Sequence, residues 1–161
     1  MRGGNGGAVA PLDTEKPAKR SVGCTARHRG VPLRPGGRTV ILATDWRSVA
    51  WYSADETRMA RMLSAWEEHL AHPTLPRTLG KRLANAGLVP KQVARYSILE
   101  GSQDQTGYSE MLLGAIGAFA PGRRGVTEDE ALAWHAEQLA LRKSNEFHLS
   151  IGQYFFCAEL P

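Results

Sequence analysis

The sequence predicts an α/β domain, and three observations carry that expectation. A Pro-Gly-Gly turn at 35–37 feeds the apolar run Thr39-Val40-Ile41-Leu42-Ala43-Thr44, which ends on Asp45 and Trp46. Four later stretches space their apolar residues as amphipathic helices do, and two of them open on Ser/Thr-x-x-Glu. The chain closes on an alternating, aromatic stretch suited to a strand.

The first strand is expected over residues 39–45. Pro35 fixes one backbone angle and the glycines tolerate positive φ, so a tight reversal before the strand costs little. Three consecutive aliphatic residues suit a strand buried on both faces, as in a parallel sheet. Asp45 and Trp46 then stand at the carboxyl end, the end that faces the ligand crevice in open α/β sheets.

Ser53 and Glu56 have capping-box spacing, with Ser53 as N-cap of a helix whose inner stripe is Met59, Leu63, Trp66 and Leu70. His72-Pro73 marks its exit. Thr74 is placed to cap a second helix with Leu75, Leu79, Leu83 and Ala86 inward and Gly87 at its end. A second strand is expected over 92–99, followed by a polar stretch from Glu100 to Gln105. A third helix spans about 108–120, with Leu112, Ile116 and Phe119 on one face, and ends at Pro121-Gly122. Thr127 and Glu130 open a fourth helix through about Lys143, with Ala131, Trp134, Gln138 and Leu141 facing inward. The last strand covers 147–160, and Gly152 within it suggests a bulge.

Composition bounds the function. The chain has 161 residues, enough for one domain with a core, and no apolar run long enough to span a membrane. Residues Met1–Ala10 lack the apolar segment of a secretory signal. Cys24 and Cys157 stand far apart without metal-ligand spacing, so a reduced, cytoplasmic setting is expected and no metal is. The net charge of +4 is concentrated at the start: residues 1–38 hold eight Lys/Arg against two Asp/Glu, whereas 39–161 hold twelve against fourteen. A nucleic-acid partner is therefore not expected of the folded part. Residues 1–32 show no helical or strand period and read as a disordered basic tail. Arg2-Gly3-Gly4-Asn5-Gly6-Gly7 lacks the preceding strand that a nucleotide-binding loop requires.

Leu33-Arg34-Pro35-Gly36-Gly37-Arg38, the strand ending in Asp45-Trp46, and the helix end Leu83-Ala84-Asn85-Ala86-Gly87-Leu88 together resemble class I S-adenosylmethionine-dependent methyltransferases. The nearest branch is the type 11, ubiquinone/menaquinone-biosynthesis-like group. The resemblance covers residues 33–161 and corresponds to the carboxyl-terminal half of that family. It implies half of a Rossmann-like sheet: three strands in a mixed arrangement, about four helices, and the last strand antiparallel between the other two. It also implies methyl transfer to a small-molecule acceptor. Asp45 would then orient or deprotonate the acceptor, with Trp46, Trp51 and Tyr108 facing it. The family's cofactor, S-adenosylmethionine, binds on strands that precede this half, so no cofactor-binding residue is assigned and the chain is expected to be inactive alone. An alternative is a non-catalytic interaction module. The unpaired edge of 39–45 would then favour self-association or a partner chain.

Overall fold

The chain enters through a turn at Arg34–Gly37, closed by the Gly37 amide donating to the Arg34 carbonyl at 2.7 Å. Pro35 occupies its second position and Gly36, at φ +76°, its third, which is the type II pattern. In the computed structural model, which describes residues 33–104 and 107–161, this turn leads into strand β1 (Arg38–Trp51). Helices α1 (Glu56–Glu67) and α2 (Pro76–Asn85), strand β2 (Val89–Gly101), helices α3 (Tyr108–Phe119) and α4 (Glu128–Lys143), and strand β3 (His148–Glu159) follow. The disorder expected of residues 1–32 falls outside the described residues.

The sheet has three strands in the order β1-β3-β2. β3 runs antiparallel to both neighbours, with Leu42 and Ala94 flanking Phe155, and Thr44 and Tyr96 flanking Gln153. The central position of the last strand is as expected, but the mixed arrangement is not. The two outer strands share a direction without touching, so every ladder is antiparallel.

β1 also departs from the expectation in burial and length. As an edge strand it leaves Val40 57% and Leu42 60% exposed, so it is not buried on both faces. Alternation turns Ala43 inward, against α2, and leaves Val40 and Leu42 on the opposite face. Nor does the strand end at Asp45. Its pairing with β3 breaks between Asp45 and Ala50, where residues 46–49 stand opposite Ile151 alone, and then resumes to Trp51. The bulge therefore belongs to β1, not to β3. Gly152 makes room for it: its amide donates to Ser48 Oγ at 2.8 Å, and a Cβ built on Gly152 would meet that oxygen at 2.8 Å.

Two apolar clusters hold the fold. The larger joins α1, α3 and α4 to one end of the sheet through Met62, Leu113, Ile116, Trp134, Trp51 and Leu149. The smaller seats α2 on the other face, with Leu79, Leu83 and Leu88 against Ala43, Phe156 and Ala158. The close of α2 explains the Leu83…Gly87-Leu88 pattern. Gly87, at φ +79°, donates to the Ala84 carbonyl and Leu88 to the Leu83 carbonyl, both at 3.0 Å, forming a Schellman motif whose two leucines are buried.

The capping assignments hold at one helix of three. At α4 the expected box is complete: Thr127 Oγ1 accepts from the Glu130 amide and the Glu130 carboxylate accepts from the Thr127 amide. The Thr127 amide first, and then Arg61, hold the Glu130 carboxyl below its ordinary range. At α1 the cap is Asp55 rather than Ser53, accepting from the Arg58 amide at 2.8 Å. At α2 no side chain caps; Leu75 precedes Pro76, whose missing N–H is one the first turn leaves unpaired anyway.

Ser53 is diverted to α4. Its hydroxyl donates to Glu137 Oε1 at 2.8 Å, and that carboxylate also accepts from the Ala54 amide at 2.6 Å and from Arg58 Nη2 at 2.6 Å. Burial pushes the Glu137 carboxyl up, but these three donors outweigh it and leave it below the ordinary value. A depressed carboxylate contributes stability above its unfolded pKa, and that stability is lost as pH falls through the folded value. The midpoint of thermal unfolding is thus expected to drop on acidification below about pH 4.3. Glu137→Gln should flatten that drop, and parallel curves for the two proteins would contradict this role.

Candidate functional site

The bulge in β1 decides where the sequence-predicted site residues go. Because residues 46–49 leave the ladder, the side chains of Asp45, Trp46 and Trp51 are sent to separate surroundings. Asp45 lies on the α2 side and is 4% exposed. Its Oδ2 accepts from Arg77 Nε at 2.8 Å, while its Oδ1 accepts from Arg77 Nη2 at 3.2 Å and from the Arg47 amide at 3.3 Å. This is a forked guanidinium–carboxylate pair with a turn-capping bond added. The arrangement raises the Arg77 pKa, through the hydrogen bond first and the charge of Asp45 second. Asp45 thus joins the first turn of α2 to the strand, with both of its oxygens engaged.

Trp46 packs edge-on to Trp66 at 5.7 Å, beside His69, and its amide donates to the Pro73 carbonyl at 2.9 Å. His69 and Phe119 complete an aromatic group around Trp66, with the Arg123 guanidinium 3.9 Å from the Phe119 ring centre. Trp51 is buried between Trp134 and Phe147, and its Nε1 donates to Gln138 Oε1 at 2.9 Å. Gln138 in turn donates to the Tyr52 carbonyl at 3.2 Å. An amide inside an apolar helix face is explained by that pairing: it satisfies the indole N–H and the strand end together.

Tyr108, at the start of α3, reaches the sheet from a different direction. Its hydroxyl lies 3.5 Å from Gln153 Nε2, which also donates to Thr44 Oγ1 at 2.9 Å. Burial raises the Tyr108 pKa, so its phenol stays neutral beyond the ordinary titration range.

The structure therefore does not gather the four predicted residues around one cavity. Only Trp51 lines a cleft of about 450 Å³ between the end of β1 and α1, together with Val49, Tyr52, Met59, Leu63 and the exposed His148. A wider groove of about 600 Å³ on α1 is lined by Glu56, Arg61 and Arg124 among others. Apolar side chains line most of the first cleft, and the Glu56 carboxylate, the Ser53 hydroxyl and the His148 imidazole supply its polar groups, a lining that suits a small, partly apolar molecule with a polar group.

One charged centre was not legible as a site in the sequence. Glu100, 1% exposed, ends β2 and accepts from the Tyr108 and Ser109 amides at 3.2 and 3.0 Å. Arg142 Nη2 stands 3.9 Å away, bonds to Ser109 Oγ, and its guanidinium lies 4.1 Å from the Phe147 ring centre. The only signal was an acid closing an apolar strand shortly before a helix. Its partners are backbone amides and an arginine 42 residues on, which no local pattern announces.

Among the described residues, the groups just named are engaged within the fold. A class I site needs a glycine-rich strand-to-helix turn whose backbone approaches the cofactor, and an acid free to accept from the ribose hydroxyls. Here β1 passes to α1 through Tyr52-Ser53-Ala54-Asp55, with no glycine. The amino terminus of α3, which follows β2, is already occupied by the Glu100 carboxylate. Asp45, the acid before the bulge in β1, is taken by Arg77. Among the described residues no group of His, Cys, Asp and Glu is placed to hold a metal ion, and no helix is long and apolar enough to cross a membrane. The chain matches no family model, and no curated protein matches it at a significant level.

Proposed function

We propose that this chain is the acceptor-side part of a methyltransferase-like α/β unit, and that by itself it transfers no methyl group. The observation that supports this most is the sheet. β3 threads between β1 and β2 antiparallel to both, the order that the methyltransferase resemblance implies for the end of such a sheet. The motifs behind the resemblance also have structural work here: the Pro-Gly-Gly turn starts β1, and Leu83…Gly87-Leu88 locks α2 beneath it. In this reading the cleft at Trp51, Tyr52 and His148 receives a small acceptor, and Asp45 ties β1 to α2 through Arg77 rather than taking a proton. Nothing among the described residues holds a methyl donor in line with that cleft, and alignment at close range is what such a transfer requires. Incubated with methyl-labelled S-adenosylmethionine and candidate phenolic or amine acceptors, the chain is expected to leave the label on the donor. Steady turnover by purified chain would contradict the proposal.

A second reading, a non-catalytic interaction module, is favoured by the exposure of Val40 and Leu42 on an edge strand. Natural edges are usually protected by charge, proline or a covering element. Thr39–Thr44 contains neither charge nor proline.

A further inference from the structure

Among the described residues, part of the sheet face opposite α2 is apolar and uncovered. On the face opposite α2, the register places Val40 beside Cys157, and Leu42 and Ala94 on either side of Phe155. Tyr96 lies next along β2, beside Gln153. The helices α1, α3 and α4 cover this face only at its other end, around Trp51 and Leu149. Val40, Leu42 and Tyr96 are each about half exposed or more, and Phe155 and Cys157 are half-buried. These side chains together present apolar surface on the order of 400 Å², the size at which an exposed patch marks an interaction surface.

We propose that a second copy of this chain covers this face, the two sheets stacking front to front about a two-fold axis near Phe155 and Cys157. The inference rests on the interaction-module reading and names its partner. Three observations favour a second copy. Stacked sheets sit about 10 Å apart, so facing patches bury each other, and two patches with their rims come to roughly 1,000 Å², the lower bound of a specific interface. Within residues 33–161 charge does not oppose the meeting, since they hold fourteen Lys/Arg and fourteen Asp/Glu, and the net charge of +4 comes from residues 1–32. At the rim Arg38 and Lys91 both pair with Glu159. Residues 1–32 are a poorer cover: they contain no Phe, Trp or Tyr and a single leucine. The patch is centred on the middle strand, so the axis brings Cys157 of one copy near Cys157 of the other.

Sedimentation of the full chain over a wide concentration range should show its mass rising from one chain to two and no further. Leu42→Glu should weaken that association roughly tenfold or more, since each copy would bury a carboxylate against the other. Leu42 is mostly exposed within one chain, so the thermal melt of the variant at low concentration should be unchanged. In a Cys24→Ser background, a short bis-maleimide should link two chains through Cys157, a readout that leaves the fold untouched. A monomer at every concentration overturns the proposal, whatever covers the face. So does a dimer that neither Leu42→Glu weakens nor Cys157 crosslinks. Neither result bears on cofactor binding, and a partner of another kind on the β1 edge would survive both.

Discussion

Replacing Trp134 with alanine is expected to cost about 3–5 kcal/mol, the range for deleting a fully buried aromatic side chain. Trp134 is the largest fully buried side chain among the described residues and meets Trp51 edge-on at 5.5 Å. Its removal would leave α4 and the end of β1 facing a void that neither can close, because Gln138 and Glu137 fix their separation. A domain of this size is stable by about 5–15 kcal/mol, so the variant should lose a large part of its margin. The control is Trp134→Phe. The indole Nε1 is buried without a hydrogen-bond partner, so phenylalanine loses volume but removes an unsatisfied donor. Urea unfolding should place Trp134→Phe within about 1.5 kcal/mol of the parent. A Trp134→Ala loss below 1 kcal/mol would contradict the packing described.

Glu100→Ala is expected to be nearly as damaging, for an electrostatic reason. The carboxylate is the acceptor for two amides at the start of α3, where the helix dipole favours negative charge. It is also the nearest counter-charge to Arg142, whose side chain is mostly buried. Removing it leaves that cation without its carboxylate inside the fold, which costs about 3–5 kcal/mol in comparable cases. Glu100→Gln keeps one acceptor oxygen and should cost about 1–3 kcal/mol. Hydrogen exchange at the Ser109 amide should accelerate in both variants and more in the alanine one. Equal stability of Glu100→Ala and the parent would show that α3 does not depend on this carboxylate.

The helices were the most legible part of the fold because their signal is local. The stripe of α4 was readable down to its one amide, since Ala131, Trp134, Gln138 and Leu141 recur at helical intervals and all are buried. What the spacing could not say is why Gln138 belongs there, because its partner Trp51 is 87 residues distant. The α1 cap was misplaced by two residues for a related reason. Ser53 and Glu56 have the spacing of a box, but Glu137 of a distant helix takes the Ser53 hydroxyl and Asp55 caps instead.

Burial of strands was less legible than their existence. Val40-Ile41-Leu42 reads the same whether a strand is central or at an edge. Which face is covered depends on where α2 and the helical cluster settle. The site was legible only as a list of residue types. Asp45 stood where an acid is useful, but its engagement by Arg77 is set by the return of α2 beneath the strand, and the bulge that parts Trp46 from Trp51 needs Gly152 on a strand a hundred residues later.

We propose that the described residues form the acceptor side of a methyltransferase-like sheet without a grip on the methyl donor. Titration of the purified chain with S-adenosylmethionine in a calorimeter tests it most directly. No heat beyond dilution is expected. Saturable binding at micromolar concentration would contradict it.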